Sequence, residues 1–376
     1  MKSKLPLVVT FCLLLAAVPG LLLLLPQKDF SEKEKRYLQS PPVFTADQVL
    51  QGEFMEDAEK YLADHFPGRE GLVGLWNYFS LYTGRNGQNG VYLGKNNWLF
   101  PTPVESDPKD FEKNLAAIRD FSEKADRPVA LLAVPSAGSV YPALLPDLHA
   151  DYPDQTLLSQ AQDFLSPYVE WLSISSSLES HTEEGVFYRT DHHWTSLGAY
   201  LAYTAFMEAK GRTPLPASAF EKERYNGFYG TSYSKSGLWG VPPDTIEVWK
   251  NPALRVQVTV YDENKSQPVE SDNPFFTEHL DEQDKYSVFL DGNHSLVRIE
   301  NPTAEGGRLL LVKDSFAHCL APFLAAHYSR IDMIDLRYFK GQSVEAYMAE
   351  HNFDQILLVY GLDSLATDKS LRWLAR

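Results

Sequence analysis

One segment in the last third of the chain restricts the possible folds more than any other. Two short apolar runs, at 309–312 and 331–336, lie on either side of a helical run at 316–328. Runs of this length and order are typical of a β-α-β unit whose parallel strands are covered on both faces. Ser315 lies in the turn between the first strand and the helix. The pattern therefore predicts an α/β fold with Ser315 at the carboxyl edge of the sheet.

Strand-like and helix-like segments alternate in the rest of the chain as well. Helical patterns begin near 108 and cover about 155–170 and 196–210, and apolar strand-like runs cover 129–134 and 355–360. This alternation favours a mainly parallel sheet with helices on both faces. The stretch 212–305 is rich in Tyr, Gly and Pro and contains short alternating segments. We therefore expect a β-rich insertion there.

The N-terminus has a different character. Lys2 and Lys4 precede an almost entirely apolar run at 5–26, which is long enough to span a bilayer. No Ala-x-Ala cleavage site follows, so we expect an uncleaved signal anchor, with a cleaved signal peptide as the alternative. The two lysines favour a cytoplasmic N-terminus, so the chain would cross the cell membrane once, with the rest outside the cytoplasm.

These patterns predict three regions. The anchor helix occupies 1–27, a juxtamembrane linker and helical lead-in occupy 28–107, and the α/β domain with its insertion occupies 108–376. The net charge of −16 argues against a nucleic acid partner, because binding phosphates requires a basic face. Cys12 lies in the apolar run and Cys319 in the α/β domain, so we expect no disulfide between them.

A second polar motif, Asp191-His192-His193-Trp194, precedes Ser315 in the chain. In an extended segment residues i and i+2 project to the same side, so Asp191 and His193 can share one face. A serine hydroxyl needs an imidazole to accept its proton and a carboxylate to orient that imidazole. Asp191, His193 and Ser315 are therefore a candidate catalytic triad.

Each motif also has a structural explanation. The Asp-His pair could cap the helix that begins near Thr195, and Ser315 could cap the helix that follows it. A metal site built on Asp191, His192 and His193 is less well supported, because adjacent histidines rarely converge on one ion. No further metal-ligating residue at suitable spacing accompanies this cluster. We therefore expect neither a metal nor a cofactor.

On these motifs the chain resembles the DHHW protein family, which is named for the residues that stand here at 191–194. Supporting segments are found at 30–36, 64–69, 91–95, 134–135, 140–142, 313–316 and 335–338. That family is similar in turn to the extracytoplasmic alginate O-acetyltransferases, in which the Asp-x-His motif also precedes the serine. The resemblance implies an SGNH-hydrolase-like three-layer sandwich. The loop at 135–139 departs from it, since it lacks the Asn or Lys expected there.

The resemblance implies a role for each member of the triad. Ser315 would be the nucleophile, His193 the general base, and Asp191 the carboxylate that orients it. The N–H of Ser315, at a helix N-terminus, would stabilise an oxyanion, with a second donor expected near Gly361, which could instead belong to an ordinary turn before a helix.

Two further residues near strand ends are candidate binding residues. Arg337 would orient an anionic or polyhydroxylated substrate, or else form a surface ion pair. Asp314 precedes the nucleophile, and we expect it to fix the turn rather than to titrate in catalysis.

The implied reaction is transfer of an acyl group, most simply acetyl, to a cell-envelope or secreted polysaccharide. Because acetyl-coenzyme A is absent outside the cytoplasm, the resemblance also implies a membrane-bound O-acyltransferase as donor partner. Two other functions stay open. A carbohydrate esterase would use the same triad with water as acceptor, and a surface scaffold protein would retain the fold without catalysis.

Overall fold

The computed structural model describes residues 4–262, 265 and 267–376, and it divides into two compact units. The first unit runs from the N-terminus to Asn89 and includes Tyr233–Gly240. The second comprises Gly90–Ser232 and Val241–Arg376. The division at residues 27 and 107 that the sequence suggested stays a prediction.

The first unit begins with an apolar helix, α1 (Leu5–Leu24). Residues 5–22 of this helix are long and apolar enough to cross a membrane, by length and composition. The other elements of the unit are β1 (Phe30–Ser31), β2 (Arg36–Tyr37), α2 (Ala46–Gln51), α3 (Glu53–Asp64), α4 (Arg69–Tyr82) and β3 (Gly87–Gln88).

Thr45 and Gln48 have the spacing of a capping box, and residues recur at helical spacing from Phe54 to His65, so the sequence predicts one helix after Thr45. The structure has two. The Thr45 side chain caps α2 by accepting a hydrogen bond from the N–H of Gln48, as the spacing predicts. Gly52 then adopts a φ of +82°, in the left-handed region, and α3 begins at the next residue. Glycine reaches this conformation without steric cost, so it ends the first helix where the apolar periodicity alone suggests continuation.

An eight-stranded mixed sheet forms the centre of the second unit. Its strands are β6 (Val129–Val134), β7 (Glu170–Leu172), β10 (Gln257–Tyr261), β11 (Val269–Ser271), β12 (Leu296–Glu300), β13 (Arg308–Lys313), β14 (Arg330–Ile334) and β15 (Gln355–Gly361). They lie in the order β11-β10-β12-β14-β13-β15-β6-β7. The five strands from β14 to β7 are parallel, and β12, β10 and β11 extend the sheet by antiparallel pairing. The mainly parallel α/β fold is thus confirmed. Three strands of the predicted insertion belong to this sheet, because antiparallel pairing joins them to β14.

Helices cover both faces of the sheet. Along β13, Leu309 and Leu311 enter one core while Leu310 and Val312 enter the other, as the period of two requires. The first core includes residues of α9 (Ser196–Ala209) and α11 (Phe316–Leu324), and the second includes residues of α5 (Pro108–Lys124), α7 (Asp154–Leu165) and α13 (Leu362–Thr367). The remaining elements are the pairs β4 (Val91–Leu93) with β5 (Leu99–Pro101) and β8 (Glu221–Phe228) with β9 (Asp244–Lys250), and the helices α6 (Ala137–Val140), α8 (Ser175–Ser180), α10 (Thr231–Ser236) and α12 (Val344–Glu350).

The parallel register brings several strand ends to one edge of the sheet. Lys313 at the end of β13 pairs with Val359 of β15, and Gly361 pairs with Val134 of β6. Ser315 follows two residues after Lys313, so the structure places it at this carboxyl edge.

Candidate functional site

Ser315 occupies the turn between β13 and α11. It precedes the first residue of the helix, but its side chain makes no capping hydrogen bond to the described part of the chain. Instead its Oγ lies 2.7 Å from Nε2 of His193. The structure therefore directs the hydroxyl at an imidazole.

His193 and Asp191 lie on the same side of a tight loop. The loop is closed by backbone bonds from Tyr188 N–H to the carbonyl of His193 and from Thr195 N–H to that of Val186. Nδ1 of His193 lies 2.5 Å from Oδ1 of Asp191. Because Nδ1 donates to this carboxylate, Nε2 is the nitrogen that can accept the serine proton.

Asp191 is completely buried and its oxygens accept three hydrogen bonds. Oδ1 accepts from the ring and the backbone N–H of His193, and Oδ2 accepts from the N–H of Thr231 at 2.6 Å. Burial alone would raise the pKa of Asp191, but the nearby histidine charges and these bonds hold it well below its ordinary value. A Cβ at Gly230 would collide with the Asp191 side chain, so glycine allows this close approach.

Three aromatic rings surround the imidazole of His193. Tyr286 stacks on it with centroids 4.0 Å apart and an interplanar angle of 6°. His192 lies 3.8 Å away at 37°, and Phe316 meets the ring edge-on at 5.2 Å. Tyr286 was missed from the sequence, since it lies in the irregular part of 212–305 and no local motif marks it.

The other two residues of the tetrapeptide anchor it. Trp194 is fully buried, and its indole N–H donates to the carbonyl of Phe316 at 3.1 Å. Nδ1 of His192 lies 2.6 Å from Oγ1 of Thr231. These contacts attach the loop to α11 and to the segment that also binds Asp191.

Asp314 fixes the turn that presents the serine. Its Oδ1 accepts from the N–H of Phe316 at 3.0 Å, and its Oδ2 accepts from the N–H of Gly361 at 2.8 Å. Burial raises the pKa of this fully enclosed carboxyl. The N–H of Gly361 thus binds Asp314, and the expectation of a second oxyanion donor near Gly361 stays a prediction. Gly361 also allows close packing, since a Cβ there would meet the ring of Phe316.

Arg337 pairs with a buried carboxylate. Its Nε and Nη2 lie 2.9 and 2.6 Å from the two oxygens of Asp335, and 35% of its side chain is exposed. Lys313 approaches the same carboxylate at 3.0 Å and Nε2 of His318 at 2.6 Å. Arg337 is thus held in an ion pair, one of the two alternatives that the sequence left open.

Asp191, His192 and His193 lie close enough together for a metal site, but both ring nitrogens of His193 already have hydrogen-bond partners. One potential ligand atom from each of Asp191, His192 and His193 lies within 4.8 Å of the others. However, Nδ1 of His193 faces Asp191 and its Nε2 faces Ser315. A hydrogen-bonded triad accounts for this geometry without an ion.

Comparison with known proteins confirms the family resemblance. Residues 166–334 match the model of the DHHW protein family, and this segment contains Asp191, His193 and Ser315. The probable alginate O-acetylase AlgJ of Pseudomonas syringae pv. tomato is 32% identical over 173 residues, 41% of this chain and 42% of that protein. AlgJ of Pseudomonas putida is 29% identical over 181 residues, 44% of this chain and 46% of that protein. The chain therefore matches less than half the length of these curated relatives.

Two solved structures share the fold. A DHHW family protein from Eubacterium siraeum superimposes with a TM-score of 0.64 at 24% identity, covering 76% of this chain and 95% of that one. Bacillus cereus PatB1, solved with a sulfonyl adduct, gives a TM-score of 0.63 at 19% identity, covering 74% and 96%. At these identities the likeness concerns the fold.

Proposed function

We propose that this chain, which matches the DHHW family model over residues 166–334, is an extracytoplasmic O-acyltransferase, most simply an O-acetyltransferase, that modifies a polysaccharide. The observation that carries the proposal is the continuous hydrogen-bonded path from Ser315 Oγ through His193 to Asp191, with steps of 2.7 and 2.5 Å. The relatives named alginate O-acetylase support the choice of acyl group and acceptor class.

In the first half-reaction Ser315 becomes acylated. As its Oγ attacks the acyl carbonyl, the hydroxyl proton passes to Nε2 of His193. The tetrahedral intermediate then collapses, the bond to the donor's leaving atom breaks, and His193 returns the proton to that atom. General base catalysis of this kind contributes on the order of 10²- to 10⁴-fold.

In the second half-reaction a hydroxyl of the polysaccharide takes the place of the leaving group. His193 accepts the proton of that hydroxyl while its oxygen attacks the acyl-serine. When the ester to Ser315 breaks, the proton returns to Oγ and the triad is restored. Asp191 stays ionised throughout, because its low pKa keeps it a carboxylate that stabilises each imidazolium.

The oxyanion of both intermediates would form beside the start of α11. The N–H of Ser315 lies at the N-terminus of this nine-residue helix, where the helix dipole favours negative charge. Since the N–H of Gly361 binds Asp314, we expect the second donor to be another group near that residue.

The donor partner follows from the location. If α1 anchors the chain in the cell membrane as a single span, with the other residues outside the cytoplasm, the acyl group must arrive across the membrane. A membrane-bound O-acyltransferase would deliver it, and the anchor would keep the effective concentration of Ser315 near that partner high.

Purified full-length chain in detergent tests the proposal. We expect a chromogenic acetyl ester to be consumed and an added oligosaccharide to gain acetyl groups, detected by mass spectrometry. Ser315→Ala should abolish both, whereas Ser176→Ala, at an exposed serine in α8, should retain both. Acetate release without oligosaccharide acetylation would identify an esterase. Equal activity of the Ser315→Ala and Ser176→Ala variants would exclude Ser315 as the catalytic nucleophile.

A further inference from the structure

Helix α4 presents its apolar residues to solvent. After Arg69 and Glu70, residues 71–82 contain no charged side chain. The exposed positions recur at helical spacing and form what we term the α4 stripe, which consists of Leu72, Leu75, Trp76, Phe79 and Tyr82, between 51% and 90% exposed. A helix on the surface of a soluble unit normally has the opposite arrangement.

The polar face of α4 is fixed inside its own unit. Asn77 is buried and donates from Nδ2 to the carbonyl of Ser236 at 3.0 Å. A Cβ at Gly74 would meet the ring of Trp239, whose indole N–H donates to the carbonyl of Glu70. The helix therefore cannot rotate to bury the stripe without losing these contacts.

The beginning of α4 lies beside the end of α1. A cavity of about 370 Å³ is lined by Leu22 and Leu25 of the apolar N-terminal segment and by Phe66 and Gly71 around the start of α4. Ion pairs join the connecting segment to the same region, between Glu34 and Arg69 and between Arg36 and Asp64. The first turn of α4 is thus held close to the level at which α1 would leave a bilayer.

We propose that the α4 stripe docks on the lipid bilayer that α1 crosses, with its side chains at the boundary between headgroups and acyl chains. This inference rests on the membrane attachment in the proposed function. An interfacial helix of this kind buries its apolar face roughly 5–10 Å deep, and Trp and Tyr are enriched at that level. The lack of charge in residues 71–82 and the position of the start of α4 beside the end of α1 favour lipid over a soluble partner.

Spin labels at single cysteines test the docking in the full chain, reconstituted in vesicles of phosphatidylethanolamine and phosphatidylglycerol. Cys319 should not react, because burial raises the pKa of its thiol to about 12. The native Cys12 reports on α1. In a Cys12→Ala background, Leu75→Cys reports on the stripe and Glu59→Cys, at an exposed position of α3, is the control.

We expect the Leu75 label, like the Cys12 label, to collide at least several-fold more with oxygen than with a water-soluble nickel chelate. The Glu59 label should show the opposite preference. Unchanged thermal unfolding of each variant establishes that labelling preserves the fold.

Three outcomes would overturn the inference. If the Leu75 label is as accessible to the nickel chelate as the Glu59 label while the Cys12 label is protected, the stripe does not dock on the bilayer, although α1 still crosses it. Protection of the Leu75 label in native membranes but not in pure lipid identifies a protein as the occupant. If the Cys12 label is accessible to the nickel chelate, α1 does not cross the bilayer and the docking proposal fails with it. The oligosaccharide acetylation assay tests the proposed reaction independently of that result.

Discussion

Tyr286 restrains His193 in a direction that Asp191 cannot. The bond between Asp191 and Nδ1 lies in the plane of the imidazole, so it leaves the ring free to tilt about that bond. The nearly parallel ring of Tyr286, 4.0 Å away, blocks that tilt and keeps Nε2 aimed at Ser315. The electron-rich face of a tyrosine would also favour the imidazolium that forms during each proton transfer. We therefore regard Tyr286 as a positioning residue.

Two substitutions of Tyr286 distinguish the effect of its ring from the effect of its hydroxyl. Tyr286→Phe keeps the stack and removes only a 3.5 Å contact from the hydroxyl to the carbonyl of Ser315, so we expect kcat near that of the parent chain. Tyr286→Leu removes the stack and should lower kcat about two- to tenfold, the equivalent of an aromatic pair, with little change in KM. Steady-state kinetics with the acetyl ester measure both. Equal losses in the two variants would assign the effect to the hydroxyl instead.

Residue chemistry explains which site residues the sequence could predict. Asp191, His193 and Ser315 could be singled out because their residue types and spacing suggest a proton relay, and the structure brings them together. Tyr286 acts through ring stacking, which an aromatic residue in any loop could provide, and Thr231 acts through its backbone N–H, which almost any residue type provides, so no motif marks either one. The position of Gly361 at a strand end is visible in the sequence, whereas the hydrogen bond from its N–H to Asp314 is not.

Among the secondary structure elements, those defined by local pattern were predicted well. The strand at 129–134 has the bounds expected, and α9 ends at Ala209, one residue from the expected end. By contrast, α11 ends at Leu324, four residues before the end expected from its apolar run. The place of β10, β11 and β12 in the main sheet could not be predicted. It depends on the antiparallel pairing of β12 with β14 and of β10 with β12, which joins residues far apart in the chain.

Three elements are joined behind the serine by one buried ionic group. Lys313 ends β13, His318 lies in α11, and Asp335 follows β14. Burial lowers the pKa of Lys313 and opposes ionisation of Asp335, but the attraction of Lys313 and Arg337 holds the pKa of Asp335 below its ordinary value. This carboxylate therefore compensates two cations, only one of which reaches solvent.

Removal of Asp335 and removal of Lys313 should lower the free energy of unfolding by different amounts. Asp335→Leu leaves the buried ammonium of Lys313 without a carboxylate, and we expect a loss of about 3–5 kcal/mol in the free energy of unfolding. Lys313→Met leaves Asp335 paired with Arg337, so the loss should be smaller. Thermal and denaturant unfolding of the two variants in detergent give the comparison. A larger loss for Lys313→Met would show that the lysine, rather than the carboxylate, holds the group together.

At the scale of the whole molecule, buried titratable groups set the response to acid. Burial lowers the pKa of His318 well below its ordinary value, and repulsion from Lys313 adds to this. The unfolded chain thus binds a proton at His318 below about pH 6.5 that the folded chain does not bind. Burial acts on His327 in the same direction. His279 opposes them, since the carboxylates of Asp291 and Glu282 outweigh its burial and raise its pKa.

We expect the free energy of unfolding to fall as the pH drops below about 6.5. A folded pKa depressed below the unfolded value means that the neutral histidine stabilises the folded state above that pH, and His318 alone contributes up to about 1.4 kcal/mol per pH unit. Asp191 and Asp335, with depressed pKa values, stabilise the folded state above their unfolded pKa of about 3.9 and add to the loss only below about pH 4. Asp154, Asp244 and Asp314, whose pKa values burial raises, act in the opposite direction and offset part of the loss, because the folded chain keeps protons there that the unfolded chain has released. His318→Gln retains an acceptor for Lys313 but cannot titrate, so its stability should decline less steeply between pH 6.5 and 4.5. Thermal unfolding in detergent at closely spaced pH values measures both slopes, and identical slopes would mean that His318 is not the group that takes up the proton.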